Sequence, residues 1–378
     1  MSITKRTKIL SEPEIQDLYG VPSFSIEQKR YFFSLNDKET LLINQFKERK
    51  YRCAAILLLG YFKSKPIQLA PSFTHIYEDL KFIANNCYPG FKVPRFSIKP
   101  YQRSRIYSKV LQLTGYSPWR EQKHEQELAQ HLLKSAHSWL NPRALFDAAI
   151  EYLSSQKIAI PAYSTLQKII SQVVNHTQNR LLDQVNQKIS EDLKQALTDI
   201  VSGDRTLTLR QLRTSARNFT GTELRKELSV HGHIESWMPE VNSVLSVLSL
   251  SQKNLQYFAE RVDYYGAKLK RQSEGNQRLY LLCYLQARWQ QALERIADGF
   301  VHHIRQTKQN AKAYAQEAVY KDWQNAAKNV SKAAEVLHLF VDDDIDQHQP
   351  FGTVKQQALK LLAAKELESV CLFLNEQK

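Results

Sequence analysis

The chain has 378 residues, 43% hydrophobic and 24% charged, with a formal net charge of +14; this balance excludes a disordered tail, and the length exceeds one ordinary core. With only 11 Gly and 12 Pro among many Leu, Gln, Ala, Lys and Glu residues, turns are sparse and the expected class is all-α. The charge is lopsided, because residues 1–120 hold 20 Lys and Arg against 9 Asp and Glu, whereas residues 121–378 hold 32 against 29.

That concentration divides the chain into an expected basic helical domain over 1–120, a second helical domain over 121–205 and a helical bundle over 206–378, a dimerisation or scaffold region. A positive surface of this kind suits nucleic acid ahead of an anionic membrane, since no strongly amphipathic basic anchor is present; solubility alone is the alternative. Cys53, Cys87, Cys283 and Cys371 form no CxxC pair and have no histidine at finger spacing. Free, mostly buried thiols in a reducing cytoplasm are therefore expected. Met1–Leu10 lacks the apolar centre of a signal peptide, and Cys53–Phe62 is about half a membrane span, so a cytoplasmic protein without a membrane partner is expected.

In chain order, Ser11 and Glu14 form a capping-box pattern that opens a helix over 12–19, stopped by Gly20. Asn36 and Glu39 repeat the pattern and predict a helix through Arg49. The apolar stretch 51–62 reads as a buried helix, and another follows from Thr74 to Asn86. After the Pro-interrupted segment Phe91–Pro100, a helix from Tyr101 to Thr114 ends at Gly115. Across that junction Arg95, Lys99, Gln102, Arg103, Arg105 and Lys109 interleave with Tyr101 and Tyr107. Cations hold phosphates and rings stack on sugars or bases, although any solvated helix face carries such charges.

Asn141 and Pro142 predict an N-cap and first turn, followed by an irregular connector from Gln156 to Tyr163 and a long helix capped by Ser164. A helix-turn-helix needs this order, with Tyr163, Ser164, Thr165, Gln167 and Lys168 near base edges or phosphates; many helical hairpins share it. The helix is expected to continue from Leu181 to about Leu197, with a polar break around Ser202–Asp204 and shorter helices over 207–216 and 222–230. From Ser243 to Val341 a packed array of long antiparallel helices is expected, broken near Ser273–Asn276, with Gly299 a further candidate break.

Nothing matches a phosphate-cradling GxxxxGK[ST], a GxGxxG after a strand, or a GxSxG elbow. Asp342, Asp343, Asp344 and Asp346 are contiguous after a helix end, and a solvated loop is expected rather than a magnesium site. His231, His233 and Glu235 alternate along a helix and so point apart, while His302 and His303 fit an ordinary helix surface. No catalytic residue, metal or cofactor is expected.

The sequence as a whole resembles the N-terminal part of the transposases of the Tn-three family, the class II replicative transposons. The likeness is carried by ILSEPEIQDLYGVPSFSIEQKRYFFSLNDKE at 9–39, YRCAAILLLGYFK at 51–63, YQRSRIYSKVLQLTGY at 101–116, and YYGAKLKR, RLYLLCYLQARW and FVHHIR within 255–305; IPAYSTLQKII at 160–170 agrees. Tyr107 stands where a His is common, so no role specific to that His carries over. The resemblance implies recognition of terminal inverted repeats in double-stranded DNA by tandem helical domains, with the chain itself or a catalytic transposase portion as further partners. It also places a ribonuclease-H-like catalytic domain, with separated Asp, Asp and Glu residues, beyond the matched region, so no enzyme activity is expected here.

Overall fold

The computed structural model describes residues 8–203, 207–264, 266–342, 344–346 and 348–376. It is all-α: 76% of it is helical, and among the described residues strand pairing is confined to two isolated parallel bridges, Ile67 with Ile160 and Ser117 with Ile158. The chain forms two compact units, one of residues 1–215 with 228–292, the other of residues 216–227 with 293–378. The divisions expected at 120 and 205 both fall inside the first unit.

The first unit opens with α1 (Glu12–Tyr19), α2 (Ile26–Phe32), α3 (Asp37–Ile43), α4 (Arg49–Ser64), α5 (Phe73–Cys87) and α6 (Pro100–Thr114). At α1 the Ser11 and Glu14 capping box forms as expected. Hydrogen bonds from the Ser11 side chain and backbone, then one from Arg143, hold the Glu14 carboxyl down to about 2. The helix opened by Asn36 stops at Ile43 rather than reaching Arg49, because Arg52 supplies its carbonyls with another partner. Its Nε donates to the Phe46 oxygen at 2.7 Å and its terminal nitrogen to that of Asn44 at 3.3 Å. Helix α2 has no counterpart among the helices expected from sequence.

Helix α4 is the hub. Every residue from Cys53 to Phe62 is buried, as an apolar helix requires when neighbours cover all its sides, and α2, α3, α5 and α6 pack on it. Gly60 lies directly against Phe33, and a Cβ there would collide with that ring and come within 2.9 Å of the Phe32 carbonyl oxygen. Gly60→Ala is expected to destabilise the first unit by about 2 kcal/mol, read as a lower urea midpoint at unchanged slope. Next to Gly60 on α4, the Tyr61 hydroxyl donates to Asp79 at 2.6 Å, and Asp79 pairs with Lys29 at 2.7 Å. Burial, with Asp79 beside it, pushes the Tyr61 hydroxyl pKa far up. The α6 helix ends where expected, with Gly115 at φ 72°, a left-handed turn that costs glycine little.

Next come α7 (Glu121–Ser138), also unassigned from sequence, α8 (Pro142–Ser155), α9 (Tyr163–Lys188) and α10 (Glu191–Ser202); α7, α8 and α9 pack on one another. Asn141 caps α8 as expected. The N-cap of α9 is Ala162 rather than Ser164. The helix also does not run on to Leu197, because Ser190 turns extended and caps α10 through the Leu193 amide at 3.2 Å. The connector before α9 is no exposed turn: Ile158, Ala159 and Ile160 are buried, Ile160 donates to the Pro66 oxygen and Ala159 to that of Ser117, both at 2.9 Å. It stitches α8 and α9 to the segments flanking α4 and α6.

The remaining helices are α11 (Leu209–Arg213), α12 (Gly221–Glu235), α13 (Met238–Leu248), α14 (Gln252–Tyr264), α15 (Gly266–Leu269), α16 (Glu274–His338), α17 (Phe351–Leu361) and α18 (Ala364–Glu376). The break near Ser273 occurs, but Gly299 interrupts nothing: the expected antiparallel array is replaced in part by one helix of 65 residues. Residues 279–285 of α16 are buried in the first unit, whereas from Leu293 it belongs to the second. There Gly299 admits Leu224 of α12. Lys332 pairs with Glu366 of α18 at 3.0 Å. Helices α17 and α18 have no individual counterparts among the helices expected from sequence.

Candidate nucleic-acid interface

From Leu80 through Arg120 the chain has no Asp or Glu and eight Lys or Arg residues. The extended segment 91–99 sorts them by alternation. Phe91, Val93, Phe96 and Ile98 turn inward against the core, leaving Lys92, Arg95 and Lys99 exposed. Pro100 and a capping box start α6, with the Lys99 amide donating to Gln102 Oε1 at 3.3 Å. The Gln102 amide donates in turn to the Tyr51 hydroxyl, and Phe96 meets the Tyr51 ring edge-on at 6.1 Å. Gln102 thus joins α6 to α4 and is less available to a ligand than expected. Tyr101 is 77% exposed.

One turn along α6, the Arg105 guanidinium and Lys109 ammonium lie 5.7 and 5.9 Å from the Phe46 ring centroid, and Lys109 also donates to Gln45. Phe46 belongs to the turn before α4, and the sequence from that turn into the helix is QFKERKYRC. That stretch adds Lys47, Arg49, Lys50 and Arg52, four cations absent from the residues expected from sequence. Its one acid, Glu48, is engaged by Lys50 at 2.7 Å and raises the Lys50 pKa through that hydrogen bond. Through Tyr51 and Phe46, cations from three segments distant in sequence come together: 47–52, 95–99 and 105–109. A cation run next to an apolar helix was the available sequence signal.

Arg103 sits about 200° round α6 from Arg105. It lines a groove of about 650 Å³ with Gln68, Ala70, Tyr107, Gln112 and Tyr116. Tyr107 is buried and donates to the Leu69 oxygen at 2.9 Å, so packing takes up the side chain that stands in the place of a common His.

The first turn of α9 is arranged differently. The Tyr163 hydroxyl accepts from the Ile9 and Leu10 amides at 3.2 and 3.1 Å, and its ring sits between Tyr19 and Phe146. It anchors the N-terminal segment rather than facing outward. Lys168 is neutralised by Glu125 at 3.0 Å and Glu121 at 3.8 Å. Ser164 is exposed, whereas Thr165 and Gln167 are half-buried. The structure therefore does not join the α6 and α9 sets into one surface of like charge.

The other clusters have local roles. His231 stacks on Trp289 at 5.7 Å, and His233 Nδ1 is 2.6 Å from the Ser229 oxygen. Asp342 and Asp346 accept from the amides of Asp344 and His348 at 3.1 and 3.0 Å, turns typical of a polar loop; Asp343 lies outside the described residues. Cys53 and Cys283 are buried, but Cys87 and Cys371 are exposed, contrary to the expectation of mostly buried thiols. Burial pushes the Cys53 thiol up to about 11.

Residues 9–173 match the family model described as Domain of unknown function (DUF4158). This domain is seen in transposase-related proteins, and its match runs from the start of α1 into α9, so it includes every cation of the α4–α6 face. No curated protein matches the chain. Among the described residues no helix is long and apolar enough to cross a membrane.

Proposed function

We propose that this chain binds duplex DNA through the α4–α6 face, as the part of a replicative transposase that grips terminal inverted repeats. The supporting observation is the convergence of Lys47, Arg49, Arg95, Lys99, Arg105 and Lys109 around Tyr51 and Phe46, where Glu48 is already paired. Phosphate oxygens accept from Arg and Lys in charge-assisted hydrogen bonds, which position a protein on a duplex without carrying sequence information. Tyr101, exposed beside these cations, is the ring available for contact with a sugar or base. The first turn of α9 is the less favoured reader, since Tyr163 and Lys168 are engaged within the protein. Cutting and joining are assigned to another portion or another protein, because the carboxylates of Asp342 and Asp346 belong to a loop and turn onto neighbouring amides.

The test is fluorescence anisotropy of the full chain with a duplex carrying the inverted repeat of its transposon, against a scrambled duplex of equal length. Preference for the repeat by about tenfold or more, or about 1.4 kcal/mol, is expected, with the DNA left uncut in magnesium. Equal affinity for both duplexes would reduce the role to nonspecific contact, and no binding at low salt would remove it.

A further inference from the structure

From Tyr320 the second unit's portion of α16 carries an apolar stripe at strict alternating spacings of three and four: Tyr320, Trp323, Ala327, Val330, Ala334 and Leu337. All six are exposed, Tyr320 by 56%, Trp323 by 66%, Val330 by 53% and Leu337 by 64%. The adjoining face of the same helix is half-covered at Ala326, Asn329, Ala333 and Val336, on the side where Lys332 holds Glu366 of α18. From Ala326 on, the stripe is thus the open face of a helix covered on another side, whereas residues 301–325 are exposed all round. Spacings of three and four are the a and d positions of a heptad, which keep one seam against a supercoiling partner helix; a helix meeting only solvent needs no such seam.

We infer that this stripe pairs with the same stripe of a second copy, in an antiparallel two-helix coiled coil. The alternation of size selects that partner and direction. The d positions hold Trp323, Val330 and Leu337, whereas two of the three a positions hold Ala327 and Ala334. In a parallel pair like positions meet, so alanine layers would leave gaps between crowded tryptophan and leucine layers. In an antiparallel pair a meets d, placing Trp323 on the partner copy's Ala334, Val330 on its Ala327 and Leu337 on its Tyr320. This register is self-complementary, as a two-fold interface must be, and lies wholly within α16.

The seam spans about 26 Å, short for isolated peptides. Here the helix is already formed and is braced from Ala326 on, so part of the ordering cost that defeats short peptides is met before association. Specific interfaces need on the order of 1,000 Å². The four aromatic rings of two copies supply a large part of it, at about 200 Å² each when fully buried.

The inference is independent of DNA binding and is tested without DNA. Sedimentation of the full chain is expected to show a monomer–dimer equilibrium, weakened at least about tenfold by Val330→Glu with Leu337→Glu. Both side chains face solvent, so helix content by circular dichroism should not change. Direction is read by disulfide trapping in a Cys87→Ser and Cys371→Ser background: Trp323→Cys with Ala334→Cys should cross-link two copies, while Ala334→Cys alone should not, its two copies lying about 16 Å apart along the axis. A chain monomeric at all concentrations, or a dimer untouched by the two glutamates, overturns the proposal. Cross-linking by Ala334→Cys alone overturns the antiparallel register.

Discussion

Changing Lys47, Arg49, Arg105 and Lys109 together to alanine is expected to weaken duplex binding by the full chain about a hundredfold at moderate salt. It should also flatten the log–log dependence on salt by roughly 3 to 4 units, because each phosphate contact releases close to one condensed counterion. Lys47 comes from the turn before α4, Arg49 from its first residue and the other two from α6, whose cations lie over Phe46 of that turn. Phosphate contacts do not read bases, so the ratio of affinities for inverted-repeat and scrambled duplexes should stay within about twofold. Lys355, Lys360 and Lys365, exposed on α17 and α18, provide the control. Their triple alanine variant removes comparable charge from elsewhere and should leave the salt slope intact. An equal loss in both variants would mean that total charge, rather than this face, attracts the DNA.

Helix identity was legible wherever local chemistry decided it. The Ser11–Glu14 box, the Asn141 cap, the left-handed Gly115 and the apolar run of α4 each state their outcome within a few residues. Boundaries failed where a distant side chain decided them. Nothing near Asn44 announces that Arg52 will take its carbonyl. Nothing near Gln156 shows that the connector to α9 will pair with Pro66 and Ser117 and so be buried.

The interface was half legible for the same reason. The interleaved segment 95–109 is contiguous, and its charge is visible in the sequence. Lys47 and Arg49 read as the end of one helix and Arg52 as part of the next, and only the packing of Phe46 and Tyr51 brings their segment against 95–109. Conversely, Tyr163 and Lys168 have suitable chemistry at a helix start, but their partners, the backbone at residues 9 and 10 and two glutamates of α7, come from other elements. Polarity can be read from a single sequence, whereas the availability of a polar group depends on what folds against it.

The largest single-residue effect on stability is expected at Asp79, which is 8% exposed. Its carboxylate satisfies the Tyr61 hydroxyl of α4 and the Lys29 ammonium of α2 from its place on α5, so three helices share one anion. Asp79→Ala strands a cation and a hydroxyl together. Breaking a buried pair from one side costs about 3–5 kcal/mol; Lys29, whose side chain keeps 19% exposure, can recover part of its hydration, so about 3 kcal/mol is expected. In a unit of this size that corresponds to a melting temperature lower by roughly 4–6 °C. Tyr61→Phe leaves the ion pair in place and should cost only about 1 kcal/mol. The discriminating variant is Lys29→Met combined with Asp79→Asn, which removes both charges yet keeps an acceptor for Tyr61. If the stranded ammonium causes the loss, this double variant should be more stable than Asp79→Ala by at least about 1 kcal/mol; if it melts with Asp79→Ala or below, lost packing rather than the unpaired cation governs the site.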